Sequence, residues 1–475
     1  MIRLSSIAAF AGAVACLTPA HAGPGDILWH IQRDGYGNNA RPTVGPGGAL
    51  YWTFRGLYRL NPADGEVVWF REDHASPLIT IAADGTIYGT GSVNIGTPQE
   101  PFWHPTALAL TPDNQVLWSW QYNANYWYPV AGPTLGPDGN IYIISYGGYN
   151  MPGHLFSLTR GGQWRWEHLW FANGSGVQHL TFANGQVMKV GSRTAVPGGP
   201  LIGNGSGLVA ANMQSGALDW YAPFPDGGDP VVSPVNPGHF YVRPGLSQSL
   251  QEFTGPNQLG WSHTVQWSPT GLNTAQVGSD GNIYISEGIF RVHSLDPAGN
   301  VRWSNNSALP QSYYYWPTVS PDGSVVIYTT TGPGYDTLGY VTALRTSDGQ
   351  KLWEITLPGA SNGYTPVRAH GGVEFSPDSS TAYIPATSIC YCGPTGYQER
   401  GHLIAVEVTS GAGACYPNCD GSTASPVLNV ADFSCFLSKF AAGNSYANCD
   451  SSTTAPTLNV ADFSCFLSEF ASGCP

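Results

Sequence analysis

Charge is scarce in this chain, and the balance has the wrong sign for nucleic acid. Only 10% of the 475 residues are charged, and 18 basic against 31 acidic residues leave a formal charge of −13. A binder of the phosphate backbone needs clustered Lys and Arg to displace counterions, so nucleic acid is excluded as a partner. Long apolar runs are also missing: beyond residue 22 none is long enough to span a bilayer, and no transmembrane segment is expected. There is no sustained helical periodicity before residue 429, no Gly-x-Ser-x-Gly elbow, no His-Glu-x-x-His and no phosphate-binding glycine loop. The 12 histidines are scattered, none paired at metal-ligand spacing. No two cysteines are adjacent; Cys390-Tyr391-Cys392 is the nearest approach. Glu374 and Glu399 are isolated carboxylates, more often solvated or salt-bridged than catalytic, so no catalytic residue is assigned.

Glycine and proline, 60 and 38 residues, are plentiful and fit a turn-dense all-β protein. Residues 1–22 read as a secretory signal, with Arg3, an apolar stretch over 7–17 and the small-x-small site Ala20-His21-Ala22. A lipoprotein-type box around Cys16 carries Ala13 where Leu is usual, so cleavage after Ala22 is expected. The mature chain loses Arg3 and Cys16, leaving 17 basic and 31 acidic residues, a charge of −14, and eight cysteines. An even number of cysteines in a secreted or cell-surface protein points to disulfides.

Seven tryptophans then recur in one frame: a small turn residue, three variable residues, Trp. The copies are Gly65…Trp69, Asn114…Trp118, Gly162…Trp166, Gly216…Trp220, Asn257…Trp261, Gly299…Trp303 and Gly349…Trp353, spaced 49, 48, 54, 41, 42 and 50 residues apart. Such a period marks units that cannot bury their own apolar face and must stack on neighbours. Between the tryptophans lie apolar stretches broken by turns such as Asp84-Gly85, Asp138-Gly139, Asp280-Gly281 and Asp322-Gly323. Asp-Gly between β-branched and aromatic runs is a strong hairpin signal, because Gly accepts the positive φ that the turn needs. Two hairpins per unit make a four-stranded propeller blade, and weaker copies bring the number of units to eight. The last unit lacks a Trp, while residues 26–30 form a strand with no unit before it. That strand is expected to complete the last blade and close the ring.

The repeat resembles the eight-bladed quinoprotein-dehydrogenase-like (PQQ-like repeat) propellers over residues 24–412, and the Gly-to-Trp frame resembles their Trp docking motif. The resemblance implies the fold. Those enzymes hold their quinone against a disulfide between adjacent cysteines, beside calcium; without such a pair, PQQ is not expected here. The tryptophans are read as plugs between blades.

Six cysteines fall in the last 61 residues, inside a direct repeat of period 30. Each copy ends in a short helix: Val430, Phe433, Leu437 and Phe440 share one face, as do Val460, Phe463, Leu467 and Phe470. An Asn/Asp loop leading into a helix, given twice, resembles a dockerin, most closely the Cys-containing modules of planctomycete secreted proteins. The resemblance implies calcium ligands at Asn418, Asp420, Asn429 and Asp432, and at Asn448, Asp450, Asn459 and Asp462. Tyr416 and Tyr446 stand where a first carboxylate is usual, and five extra residues interrupt each loop, so weak calcium binding or none is expected. Asn429 and Asn459 also read as helix N-caps, with Asp432 and Asp462 completing capping boxes. The spacing suggests disulfides Cys419–Cys435 and Cys449–Cys465, with Cys415 and Cys474 clasping the module's ends. A small module with a thin core needs such staples.

The reading is therefore a signal over 1–22, an eight-bladed all-β propeller over 23–412 and a duplicated helical dockerin-like module over 413–475. Aromatics crowd the connections that follow the Trp strands: Tyr122, Tyr126, Trp127, Tyr128, Trp170, Phe171 and Tyr313, Tyr314, Tyr315, Trp316. They are candidates for stacking on sugar rings, or for covering the channel mouth themselves. The favoured function is non-catalytic recognition of a glycan or extracellular protein, with the tail attached to a cohesin-like or other surface-anchoring protein. A polysaccharide-active enzyme, an unusual quinoprotein and an envelope assembly scaffold are the alternatives, because one scaffold serves unrelated functions.

Overall fold

The computed structural model describes residues 23–34, 41–72, 78–94, 103–121, 129–145, 153–170, 180–192, 206–223, 230–242, 249–255, 258–264, 275–287, 291–305, 314–331, 337–359, 361, 363–369, 372–390, 398–408, 428–441 and 458–472, with Cys419, Ala447 and Cys449. The strands form eight antiparallel sheets in sequence order, an eight-bladed propeller as the repeat predicts. Blade one is Thr43–Val44, Leu50–Thr53, Leu57–Leu60 and Val67–Arg71; blade two is Ile79–Ile81, Ile87–Asn94, Trp103–Leu110 and Val116–Gln121. Blade three runs from Pro129–Leu135 to Trp164–Trp170, blade four from Thr181–Ala183 to Leu218–Pro223, blade five from Val231–Val232 to Gln258–Thr264, blade six from Gln276–Val277 to Val301–Asn305 and blade seven from Tyr314–Val319 to Lys351–Thr356. In blade eight the short strands Arg368–Ala369 and Glu374–Phe375 pair with Thr381–Cys390, followed by Gln398–Glu407 and finally Ile27–Asp34 from the other end of the chain.

The ring thus closes by pairing Ile27–Asp34 with Gln398–Glu407, in a register that sets His30 opposite Ile404 and Gln32 opposite His402. Closure brings an unforeseen eighth copy of the repeat. Gly25-Asp26-Ile27-Leu28-Trp29 has the same frame as the other seven, and Gly25 has the positive φ of its counterparts. Trp29 is therefore the Trp that the last unit seemed to lack.

The frame has a physical cause. The indole of each Trp reaches the next blade and donates to a main-chain carbonyl there: Trp29 to Pro62 (2.9 Å), Trp69 to Pro112 (3.0 Å), Trp118 to Arg160 (3.0 Å), Trp166 to Met213 (3.2 Å), Trp261 to Pro297 (3.1 Å), Trp303 to Thr346 (2.8 Å) and Trp353 to Val408 (2.8 Å). The ring of that Trp lies on the glycine that opens the next blade's frame. A Cβ on Gly216 would sit 2.3 Å from Trp166, and one on Gly349 2.4 Å from Trp303. Glycine suits that position twice over, for its positive φ and for the space, and blade two sets Asn114 there at φ +66°. In six blades a tyrosine of the second strand packs against the same Trp, as in Tyr51–Trp69 and Tyr142–Trp166, with centroids 6.0 and 5.8 Å apart, while blade seven sets Ile327 at that register position.

Blade four departs from the rule. Met188 replaces the tyrosine, and Trp220 donates within its own blade to Oε1 of Gln186 (3.0 Å) while its ring stacks on Phe240 of blade five. The two helices outside the propeller are Val430–Ala441 and Val460–Ser472.

Candidate functional site

The antiparallel order gives the propeller two unlike faces. Where first strands meet second strands, and third meet fourth, the connections are tight turns closed by their own hydrogen bonds. Examples are Gly85 N to Ala82 O (2.8 Å), Gly139 N to Gly136 O (2.9 Å) and Gly299 N to Asp296 O (2.9 Å). Aspartates of these turns accept main-chain N–H groups two residues on, Asp84 from Thr86 (3.1 Å) and Asp280 from Asn282 (3.0 Å). The longer connections all leave from strand ends on the opposite side.

The segments that carry the aromatic candidates connect strand ends on that opposite side. Tyr122, Tyr126, Trp127, Tyr128 and Phe171 lie outside the described residues; 122–128 join the outer strand of blade two to the inner strand of blade three. Trp170 ends the outer strand of blade three. Tyr314, Tyr315 and Trp316 differ from the sequence reading, which took them for a connection. They are the first half of the inner strand of blade seven, with Tyr314 opposite Thr331, Tyr315 opposite Thr330 and Trp316 opposite Thr329. A run of three aromatics has high strand propensity, and here that preference prevails.

Many of the described polar groups are engaged in seams between strands and blades. Near the axis, Arg41 reaches from just before blade one to Glu374 of blade eight, with Nε and Nη2 each 2.8 Å from Oε2. Glu374 is thus salt-bridged, as isolated carboxylates usually are. Glu399 stands within the strand Gln398–Glu407, opposite Ile389. Thr181 Oγ1 donates to Pro230 O (2.6 Å) between the inner strands of blades four and five. Asp138 accepts from Tyr142 (2.7 Å), and Arg165 joins Ser157 (2.7 Å) to Met213 O (3.2 Å) across the next seam. Burial pushes the Asp138 carboxyl up, but hydrogen bonds from Asn140 and Tyr142 and the Arg165 charge outweigh it and hold the pKa below the usual range.

Histidines pair with acids or with each other. His154 bonds Glu167 within blade three, and His239 lies 2.9 Å from Glu252 in blade five. At the ring closure His30 Nε2 lies 2.8 Å from His402 Nδ1, and His402 Nε2 lies 2.8 Å from Ser388 Oγ. His30 and His402 are 372 residues apart in sequence, which is why only the fold reveals that pair. Among the described residues no group of three or more His, Cys, Asp or Glu is placed to hold a metal. Cys390, buried at the end of Thr381–Cys390, is disulfide-bonded.

In the C-terminal segment the expected capping boxes form. Asn429 Oδ1 accepts from Ala431 N (2.8 Å) while Asp432 Oδ2 accepts from Asn429 N (2.8 Å). Asn459 and Asp462 repeat this at 2.7 Å for both bonds. Disulfides join Cys419 to Cys435 and Cys449 to Cys465, the two pairings expected from spacing. Phe436 stacks on Phe466 at 4.1 Å, so the helices share one aromatic core with Phe433, Phe440, Phe463 and Phe470. Val430, Leu437, Val460 and Leu467, assigned to the apolar face by periodicity, are exposed instead, and Phe436 and Phe466 take the centre. The buried stripe runs through Phe433, Phe436 and Phe440 in one helix and Phe463, Phe466 and Phe470 in the other, so phenylalanines and not leucines fill its centre. Asn418, Asp420, Asn448, Asp450, Cys415 and Cys474 lie outside the described residues.

No family model matches this sequence, and no curated protein matches it. Among solved structures the chain is similar to the quinohemoprotein alcohol dehydrogenase of Pseudomonas putida HK5, at 12% identity over 95% of this chain and 92% of that one, TM-score 0.54. It is also similar to the quinohemoprotein alcohol dehydrogenase of Comamonas testosteroni, at 12% identity, 80% and 76% coverage and TM-score 0.52. A europium-containing methanol dehydrogenase gives 11% identity, 80% and 93% coverage and TM-score 0.51. At such identities the likeness is one of fold. The quinone cradle of that family does not fit the residues present: the sequence offers no adjacent cysteines, and Cys390 ends a buried strand of blade eight.

Proposed function

We propose that this is an exported recognition protein, whose propeller binds a polysaccharide on the face of the long connections and whose C-terminal module attaches it to a cohesin-like or other surface-anchoring partner. The observation that carries this reading is the asymmetry of the faces. One is sealed by turns that satisfy their own hydrogen bonds, while the other gathers the long, aromatic-rich segments. Loops held by a rigid scaffold are where binding residues concentrate. Trp127 and Trp316, with Tyr126, Tyr128, Tyr314 and Tyr315, would supply flat apolar surfaces for sugar rings. Converting Trp127 and Trp316 to Ala, singly and together, is expected to abolish retention on the polysaccharide with little change in melting temperature. A large fall in melting temperature with retention intact would make them structural plugs and defeat the reading.

In the module, Asn418, Asp420, Asn448 and Asp450, with the cap residues, would hold calcium weakly, because each repeat contributes only two carboxylates. Calorimetric titration of the full chain should give heat at millimolar calcium that disappears when the chain stops at residue 412. Equal heats would remove calcium from the account, leaving Asn429, Asp432, Asn459 and Asp462 as helix caps. Quinone-dependent alcohol oxidation is the second reading, favoured by the fold likeness to alcohol dehydrogenases. Dye-linked activity appearing only on addition of the quinone would establish it.

A further inference from the structure

The expected signal cleavage falls at the first residue of a rigid turn. Asp26 N donates to Gly23 O (2.9 Å), closing a four-residue turn with Pro24 second and Gly25 third, the latter at φ +89°. Proline then glycine is the order that a type II turn favours, since proline fixes the first φ and glycine takes the positive one. The turn folds the nitrogen of Gly23 back onto its own last residue: Gly23 N lies 2.6 Å from Asp26 Oδ2. Directly after it the chain enters the ring closure, with Gly25 N donating to Glu407 O (2.8 Å) and Glu407 N to Asp26 O (2.9 Å). Gly25 also packs against Trp353 and Ile355 of blade seven.

We propose that Asp26 is the receptor for the new N-terminus made by cleavage after Ala22, so that maturation adds an ion pair to the clasp that closes the propeller. In the precursor the nitrogen of Gly23 is a neutral amide. Hydrolysis of the Ala22–Gly23 bond consumes one water, leaves a carboxylate on Ala22 and frees Gly23 as an amine, which is protonated at neutral pH. The same short contact then becomes charge-assisted, the stronger class of hydrogen bond. The turn geometry needs no change, because the atom that gains the charge already faces the carboxylate. This inference rests on the export reading, but only for the site of cleavage.

The test compares a protein beginning at Gly23, released from a fusion by a site-specific protease, with its Asp26→Asn variant. The rate of α-amine acylation is followed against pH by peptide mapping. Pairing favours the ammonium, so its pKa should rise above the ordinary 7.7–8.0, and acylation near pH 8 should be several-fold slower than in Asp26→Asn. The contribution to stability is full below the unfolded value and is lost as pH rises through the folded one. Retaining Ala22 should remove the alkaline dependence of melting that the Gly23 protein shows. Equal acylation profiles in the two proteins would overturn the role of Asp26. Separately, mass spectrometry of the exported protein should give a chain starting at Gly23, and any other start would overturn the proposal from the side of export.

Discussion

Removing residues 23–34 is expected to abolish cooperative unfolding of the whole propeller, not to fray one end. Three losses coincide. Gln398–Glu407 becomes an edge strand, with seven residue pairs of the closing register gone. Unpaired strand edges invite association with other chains. Trp29 leaves a cluster that joins blade eight to Trp52, Phe54, Tyr58 and Leu60 of blade one. A buried Trp cut to Ala costs about 3–5 kcal/mol by itself, a large share of the roughly 5–15 kcal/mol that keeps a domain folded. The Pro62 carbonyl also loses its indole donor. Scanning calorimetry should show a broad, low-enthalpy transition accompanied by aggregation. A single sharp transition near that of the intact chain would show that the ring does not depend on its first strand. Trp29→Ala alone is the milder variant and should lower stability by the amount for one buried Trp.

Acid is expected to loosen the same closure well before the carboxylates titrate. His30, His402 and Ser388 form a chain across three neighbouring strands. Each shared contact has room for one proton, so two neutral imidazoles fit and two imidazolium rings do not. Burial, the His30 charge and the Arg400 charge, in that order, hold His402 down to about 3, against a smaller opposing effect of Asp34. Burial also pushes His30 below the usual value. Beside the pair in register lie Ile404, Ala386 and the neutral amide Gln32, and Tyr364 lies under the Arg400 guanidinium at 4.0 Å. The unfolded chain takes up protons near pH 6.5 while the folded one refuses them. Stability is therefore whole above pH 6.5 and falls as the pH drops toward 3. At pH 4.5, two units into that window, the loss for one such histidine is about 2–3 kcal/mol. Asp138, Asp322 and Asp378 are held below the usual carboxylate range. Their stabilisation is lost only as pH falls below about 4, so the window from 6.5 to 4.5 isolates the histidines. Thermal melts of the protein and of His402→Gln across that window give the check. The variant should be less stable at neutral pH but lose clearly less on acidification, and parallel curves would refute the assignment.

Much of this was legible in the sequence because propeller physics repeats itself. A docking Trp, the glycine beneath the preceding Trp and the Asp-Gly turn recur at a fixed period, so seven copies announced the ring. The segment of the eighth copy was read as the strand that closes the last blade, but its Gly25-to-Trp29 frame was not matched to the other seven. Tyr314, Tyr315 and Trp316 were misplaced for a related reason: strand propensity alone does not say where an inner strand begins after a variable connection. The helix caps at Asn429 and Asn459 were readable since capping is a matter of three neighbouring residues. The burial of Phe436 and Phe466 in place of Leu437 and Leu467 was not, because the side of a short helix that is covered depends on its partner. Arg41–Glu374 and His30–His402 join residues 333 and 372 apart, and nothing local marks either member.

The seam between blades four and five has its own thermal character. Elsewhere each described docking Trp ties its seam with an indole donor and a carbonyl, an enthalpic contact. At Trp220 that donor is spent on Gln186, and the outer half of the seam rests on the flat stack of Trp220, Phe240 and Phe253, with centroids 5.9 and 5.2 Å apart. Apolar contact loses strength on cooling, whereas polar bonds do not share that dependence. On cooling, the outer half of this one joint is therefore expected to weaken ahead of its seven companions, a difference that no symmetry of the repeat would supply.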